Sequence, residues 1–189
     1  DLSHAAGAID LDLTASGAWM AAGCTYKFLN GGPGAPAYVY VRGDLAVRLD
    51  SPISGWMGHA RPFAFDAGYT PRLGVARFAS GTPGILSLAA LEGALSAFDG
   101  VDMRMAAQKA QRLGDLAIAR TQALGLEVIS PLDAAHRGGH VSVRHAEGYA
   151  VVQALIARGV IADFRAPDAM RFGVSPLFVR YVAVWDAMD

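Results

Sequence analysis

A short apolar run, Trp19-Met20-Ala21-Ala22-Gly23-Cys24, leads through Thr25-Tyr26-Lys27 into the turn Gly31-Gly32-Pro33-Gly34. A second apolar run, Ala37-Tyr38-Val39-Tyr40-Val41, follows at once. No other stretch restricts the fold as strongly. Two runs of this length separated by glycines and prolines read as strands joined by a tight turn. The first has almost no polar residue, the pattern of a strand buried on both faces. The second is rich in aromatic and β-branched residues. Lys27 falls where the first run ends, and only one other lysine, Lys109, occurs in the chain. A lysine aimed rigidly from part-apolar surroundings is suited to forming a Schiff base with an aldehyde cofactor. Upstream, Asp1-Leu2-Ser3-His4 reads as another strand end near the same cleft. An acid able to face a pyridinium nitrogen, with a lysine able to face an aldehyde carbon, fits pyridoxal phosphate (PLP).

The chain has 189 residues, 53% of them hydrophobic. That length buries a real core in one large or two small domains and argues against disorder. The net charge of −1 gives no electrostatic case for a nucleic acid or a membrane surface as partner. No apolar run approaches the roughly 20 residues that span a bilayer. The single cysteine, Cys24, excludes an internal disulfide and fits a reducing, cytoplasmic setting. No signal peptide is visible. The chain opens on Asp1 rather than Met, directly at the expected active-site strand end, so an N-terminal part is expected to be absent.

Residues 43–83 carry few periodic signals and read as a long irregular region, a common home for function. Apolar spacing of three and four predicts helices over 84–98 and 101–124, the second closed by Gly125. Beyond it the pattern predicts strands at 126–129, 140–143, 160–164 and 170–174. A helix is expected at 147–158, closed by Gly159, and a terminal helix at 181–188. The expected class is therefore α/β with a small α+β domain.

Each candidate residue carries a plainer reading beside the chemical one. Asp1 is either a pyridinium partner or an ordinary terminal acid. His4 either lines the cofactor or stabilises a polar core. Tyr26 either donates to a phosphate or packs. Trp56 and Thr82, in the irregular region, offer an indole N–H and a hydroxyl to a phosphate, or simply pack in loops. Arg171 alternates with apolar residues, so it faces water from a sheet edge or grips a carboxylate in a cleft. Cys24 lies within the apolar run and reads as a small buried hydrophobe. His136, His140 and His145 lack the spacing and companions of a zinc set, and no metal is expected. There is no phosphate-binding Gly-x-x-x-x-Gly-Lys loop and no nucleophile elbow.

Taken together, several segments resemble the kynureninase family. They are Asp1-Leu2-Ser3-His4-Ala5-Ala6-Gly7, Tyr26-Lys27-Phe28-Leu29-Asn30-Gly31-Gly32-Pro33-Gly34 and Gly55-Trp56-Met57-Gly58-His59. Arg61-Pro62-Phe63, Gly81-Thr82-Pro83-Gly84-Ile85-Leu86 and Met170-Arg171-Phe172 complete the set. Asp1 and Lys27 alone fit many fold-type I PLP enzymes, whereas the Gly-Trp-x-Gly-His segment is more specific. The resemblance implies a fold-type I PLP-dependent transferase-like fold. Residues 1–83 would be the C-terminal part of the large domain and 84–189 the small domain, entered through a bridging helix.

The same resemblance implies hydrolysis of L-kynurenine to anthranilate and L-alanine, in tryptophan catabolism and toward NAD biosynthesis. It gives Lys27 the PLP and the Cα proton, Asp1 the pyridinium nitrogen, and His4 a place beside it. Tyr26 would contact the phosphate and assist proton transfer. Trp56 and Thr82 would reach the phosphate of the partner subunit's cofactor in a homodimer with shared sites. Arg171 would hold the substrate α-carboxylate. Family members carry an upstream phosphate-binding cup that nothing in this chain matches. Competing readings are another fold-type I enzyme, such as an aminotransferase, or an inactive fragment lacking the N-terminal half of the site. A cysteine desulfurase fits less well, because Cys24 is misplaced for a mobile catalytic loop.

Overall fold

Backbone pairing follows the two apolar runs that flank the glycine-rich turn. In the computed structural model, which describes residues 1–189, β1 (Met20–Cys24) and β2 (Ala37–Val41) form an antiparallel pair with Met20 opposite Val41 and Cys24 opposite Ala37. The expected burial of β1 on both faces is not found. Its one strand neighbour is β2, Met20 is 51% exposed, and Ala22 is exposed as well. Gly23 is nevertheless required, because a Cβ there would lie 2.6 Å from the Tyr38 hydroxyl across the ladder.

By internal contacts the chain forms two compact units. One comprises residues 1–3 and 12–96, the other residues 4–11 and 97–189. In the first, β2 leads into the single-turn helix α1 (Gly43–Ala46), then 3₁₀ turns at Trp56–Gly58 and Gly74–Phe78, and finally α2 (Ile85–Leu95). The irregular stretch is held largely by Arg77, which is 7% exposed. Its guanidinium donates to the carbonyls of Arg72 at 3.2 Å, Leu49 at 2.8 Å and Val47 at 3.4 Å. One buried cation thus gathers three carbonyls that no helix or sheet ladder satisfies.

The second unit is built on α3 (Met103–Ala123) and a four-stranded antiparallel sheet. Its strands are β3 (Glu127–Val128), β4 (His140–Arg144), β5 (Asp163–Arg165) and β6 (Ala169–Gly173), in spatial order β3-β4-β6-β5. Helices α4 (Gly148–Ala157) and α5 (Tyr181–Ala187) complete it. Asp102 caps α3 by accepting from the amides of Arg104 at 2.9 Å and Met105 at 3.3 Å.

Helices α3 and α4 end in the left-handed glycine motif expected from sequence. Gly125 has φ 72° and Gly159 φ 84°. The same caps explain two shortened strands. The Leu126 amide bonds back to Thr121 O and the Val160 amide to Leu155 O. Neither residue then belongs to a ladder, so pairing begins at Glu127 and Asp163 rather than at 126 and 160.

The buried face of α3 is made of small residues around two large ones: Ala106, Ala110, Ala117 and Thr121 are buried with Leu113 and Ile118. That face lets the helix approach β3, β4 and α5 closely. In the sheet, Val141 stands opposite Phe172 and Val143 opposite Met170, and all four are buried. Val184 and Met188 close the cluster from the C-terminal end. No helix is long and apolar enough to cross a membrane. Leu113 is fully buried at the centre of this cluster. Leu113→Ala is expected to cost about 2–5 kcal/mol in urea unfolding, the range for a cavity in a core that relaxes only partly.

Candidate active site

Two groups of polar residues carry the candidate chemistry, one in each unit. The first surrounds Lys27. The Leu2 amide donates to Ala22 O at 2.8 Å, so the Asp1 segment runs beside β1, the strand that leads to Lys27. The Asp1 carboxylate accepts the Ser3 amide at 2.7 Å through Oδ1, which fixes the side chain and leaves Oδ2 for another donor. Beyond β1 the chain turns sharply. Gly31 N donates to Thr25 O at 2.9 Å, Asn30 N to Lys27 O at 2.9 Å, and the Thr25 hydroxyl to Pro36 O at 2.5 Å. Asn30 sits at φ 62°, and a Cβ on Gly31 would come within 2.9 Å of Thr25 O. The glycine at 31 is therefore a steric requirement of the turn that presents Lys27.

Lys27 is half-buried, and its ammonium has neither an ion-pair nor a hydrogen-bond partner. Its Nζ stands 5.2 Å from the centroid of the Tyr26 ring. Lys109, the other lysine, instead donates to Pro176 O at 2.6 Å. Tyr26 is 47% exposed. Cys24 is half-buried, with Sγ 3.6 Å from Ser3 O, which suits a packing role. Burial, with a smaller contribution from Cys24, raises the pKa of Tyr38 on the facing strand.

Trp56 begins a 3₁₀ turn and meets Phe63 edge to face at a centroid distance of 5.5 Å. The Met57 amide donates to Ser80 O at 3.1 Å, which brings the Trp56 turn against the strap that ends in exposed Thr82. Gly55 makes that approach possible, since a Cβ there would lie 2.3 Å from Ser80 O. His59, 8% exposed, braces the loop beyond. Its Nδ1 accepts the Arg61 amide at 2.9 Å, and its Nε2 faces Gly68 O at 3.2 Å.

The second group lies on the polar face of the β3-β4-β6-β5 sheet. Arg171 is on β6, which pairs on both sides, so the reading of an edge residue facing water does not hold. Its cross-strand neighbours are Ser142 on β4 and Asp163 on β5. Arg171 Nε donates to Asp163 Oδ1 at 2.7 Å and Nη2 to Oδ2 at 2.6 Å, a parallel two-bond pair. The Arg171 hydrogen bond holds the Asp163 carboxyl below the usual carboxylate range, and Asp163 in turn raises Arg171. His140, on β4 opposite Gly173, is a diagonal neighbour of Arg171, and its ring meets that of His4 at 5.9 Å. Burial first, then the charge of Arg171 and His4, lower its pKa, with Asp163 opposing them.

Asp163 was not among the residues singled out from sequence, and His140 was weighed there only as a metal ligand. A signal for Asp163 existed: the expected strands 160–164 and 170–174 are close enough to form a hairpin. An acid and an arginine eight residues apart can then fall opposite each other. His140 carried no such signal, because its partner His4 is remote in sequence.

Comparison with known proteins matches residues 106–189 to a family model described as the kynureninase C-terminal domain. Over its whole length the chain is 48% identical to a kynureninase from Pseudomonas fluorescens. It is 44% identical to a kynureninase from Burkholderia mallei (strain SAVP1). Each match takes in 100% of this chain and 46% of the relative, so the chain spans about half the length of the curated relatives it matches. Among solved structures, it superposes on an apo cysteine desulfurase from Thermococcus onnurineus NA1 with TM-score 0.78. There the identity is 16%, over 98% of this chain and 49% of that one. An alanine–glyoxylate aminotransferase from Nostoc sp. gives TM-score 0.70 at 19% identity, over 100% and 52% of the two chains. These likenesses establish a fold, that of the fold-type I PLP-dependent enzymes.

Two outcomes follow from this geometry. Gly55→Ala must push the Trp56 turn off Ser80, and a loss of about 1–3 kcal/mol is expected in chemical unfolding. His140 has a depressed pKa when folded, so the unfolded state takes up its proton first as pH falls. Its contribution to stability is complete above about 6.5 and declines as pH drops from there through the folded value. Urea midpoints between pH 8 and pH 5 are expected to fall less steeply in His140→Gln than in the parent protein.

Proposed function

We propose that this chain belongs to a kynureninase, as the C-terminal part of its large domain (residues 1–83) and its small domain (residues 84–189). The proposed reaction is hydrolysis of L-kynurenine to anthranilate and L-alanine, in tryptophan catabolism, by a cytoplasmic homodimer with PLP as cofactor. The observation that carries this reading is the contrast between the two lysines. Lys27 is held by a turn that requires glycine and has no acid or carbonyl to occupy its amine, whereas Lys109 is spent on Pro176 O.

The residues present fit the cofactor. Lys27 supplies an unpaired amine to hold it, and Asp1 keeps one carboxylate oxygen for its pyridinium nitrogen. When bound, PLP supplies an electron sink for negative charge developing next to the amino group of the substrate. Asp1 keeps the ring nitrogen protonated through a charge-assisted hydrogen bond. Lys27 takes the proton from Cα and returns it. Tyr26, beside that amine, binds phosphate and assists proton transfer, and His4 lines the ring. Trp56 and Thr82 donate to phosphate, in this reading that of the partner subunit's cofactor. Arg171 takes the α-carboxylate. Water attacks the γ-carbonyl, the Cβ–Cγ bond breaks to release anthranilate, and protonation of Cβ leaves alanine.

Reduction with borohydride after incubation with PLP is expected to fix the label on Lys27 and not on Lys109, as read by peptide mass spectrometry. Lys27→Ala is expected to lose both the label and the release of fluorescent anthranilate from L-kynurenine. Equal labelling of both lysines would reject the site. Turnover that requires a keto-acid acceptor would assign the protein to the aminotransferases instead.

A further inference from the structure

We propose that Asp163 is the positioning residue for Arg171. It grips one edge of the guanidinium so that the opposite end is presented, fixed in direction, to the carboxylate of an α-amino acid. The inference rests on the reading of Arg171 as the carboxylate-binding residue and adds to it the group that makes it selective.

A guanidinium has five N–H bonds, one on Nε and two on each Nη. Asp163 takes the Nε–H and one N–H of Nη2, at 2.7 and 2.6 Å. Three N–H bonds remain, and two of them, one each on Nη1 and Nη2, point the same way from the end of the fork. A second carboxylate can therefore bind two-pronged without displacing the first. The backbone sets this arrangement, because Asp163 and Arg171 are direct partners in the β5–β6 ladder. Their strands are joined by the short connection 166–168. Arg171 reaches its partner with little of its surface exposed, its side chain being 23% accessible. Arg165 Nη2 stands 3.5 Å from Asp163 Oδ2 and makes no close hydrogen bond to it, so the tight two-bond pairing belongs to Arg171.

An asparagine at 163 keeps the shape but offers one acceptor and one donor. One of the two bonds is lost and the fork is free to rotate. In the PLP-loaded holoenzyme, Asp163→Asn is expected to weaken binding of L-alanine about tenfold, the size of one charge-assisted hydrogen bond misdirected. L-Alaninamide, which lacks the carboxylate, is expected to bind both forms equally. With L-kynurenine, KM is expected to rise by a similar factor while kcat stays within about threefold, because the reacting atoms are untouched. A second readout uses the unaltered protein. The Arg171 Nε–H resonance is expected to keep its position and slow exchange when L-alanine is added, since Asp163 stays in place.

Tighter binding of L-alanine by Asp163→Asn, with a shifted Nε–H signal in the unaltered protein, would overturn the proposal. Asp163 would then be a competitor for the fork. Unchanged binding in Asp163→Asn together with weakened binding in Arg171→Lys would overturn the proposal and leave the role of Arg171 standing. Unchanged binding in Arg171→Lys would overturn the role of Arg171 and the proposal with it.

Discussion

The register of β4 against β6 is the constraint on which the second unit depends. Val141 faces Phe172 and Val143 faces Met170, and those four side chains form the floor on which α3 and α4 pack, with α5 against α3. Because side chains alternate along a strand, the same register sends His140, Ser142 and Arg171 to the other face. A slip of one residue would place a guanidinium in the core and two valines on the polar face. The cost of burying that charge without a partner locks the pairing as firmly as the apolar contacts do. Core and candidate site are thus specified by one alternating pattern, and neither can be changed without the other.

In the first unit the constraint is steric rather than hydrophobic. Little of it is deeply buried: Val41, Ala46 and a few polar groups are covered, while α2 has no buried residue. Shape is carried by close backbone approaches that only glycine permits, at Gly23 under Tyr38, Gly31 against Thr25 and Gly55 against Ser80. Arg77 adds a further tie by collecting carbonyls from two separate segments. Such a framework places Lys27 and Trp56 through turns rather than through a packed core, which explains why motifs rich in glycine surround both residues.

Much of this was legible in the sequence, for reasons that differ by element. Helices α3 and α4 were, because Ala106, Ala110, Leu113 and Ala117 repeat at helical spacing in the first and because Gly125 and Gly159 mark the ends of both. The first strand was legible as a strand but not in its surroundings. An apolar run reports that a segment can be buried, not what lies against it, and Met20 stands open. Lys27 could be singled out from its neighbours in sequence, since the turn that holds it is local. The ring contact of His4 with His140 could not, as it is a product of tertiary folding across more than a hundred residues. The pairing of Asp163 with Arg171 falls between these cases. It is nearly local, yet it depends on which residues of a hairpin come opposite each other, and that register is set by the three-residue connection between the strands.

Arginine rather than lysine at position 171 follows from the same geometry. An ammonium paired with Asp163 would satisfy that carboxylate and retain no preferred direction for a second one, because its remaining hydrogens turn freely about a single bond. A planar guanidinium held at one edge cannot turn, so the orientation fixed by Asp163 is carried through the delocalised system to the far nitrogens. The strand supplies the other half of the constraint. Arg171 lies on an interior strand with Ser142 on one side and Asp163 on the other, so its stem has no solvent-facing edge along which to swing away. The selectivity of such a site for a planar two-oxygen anion is therefore a property of the sheet as much as of the arginine.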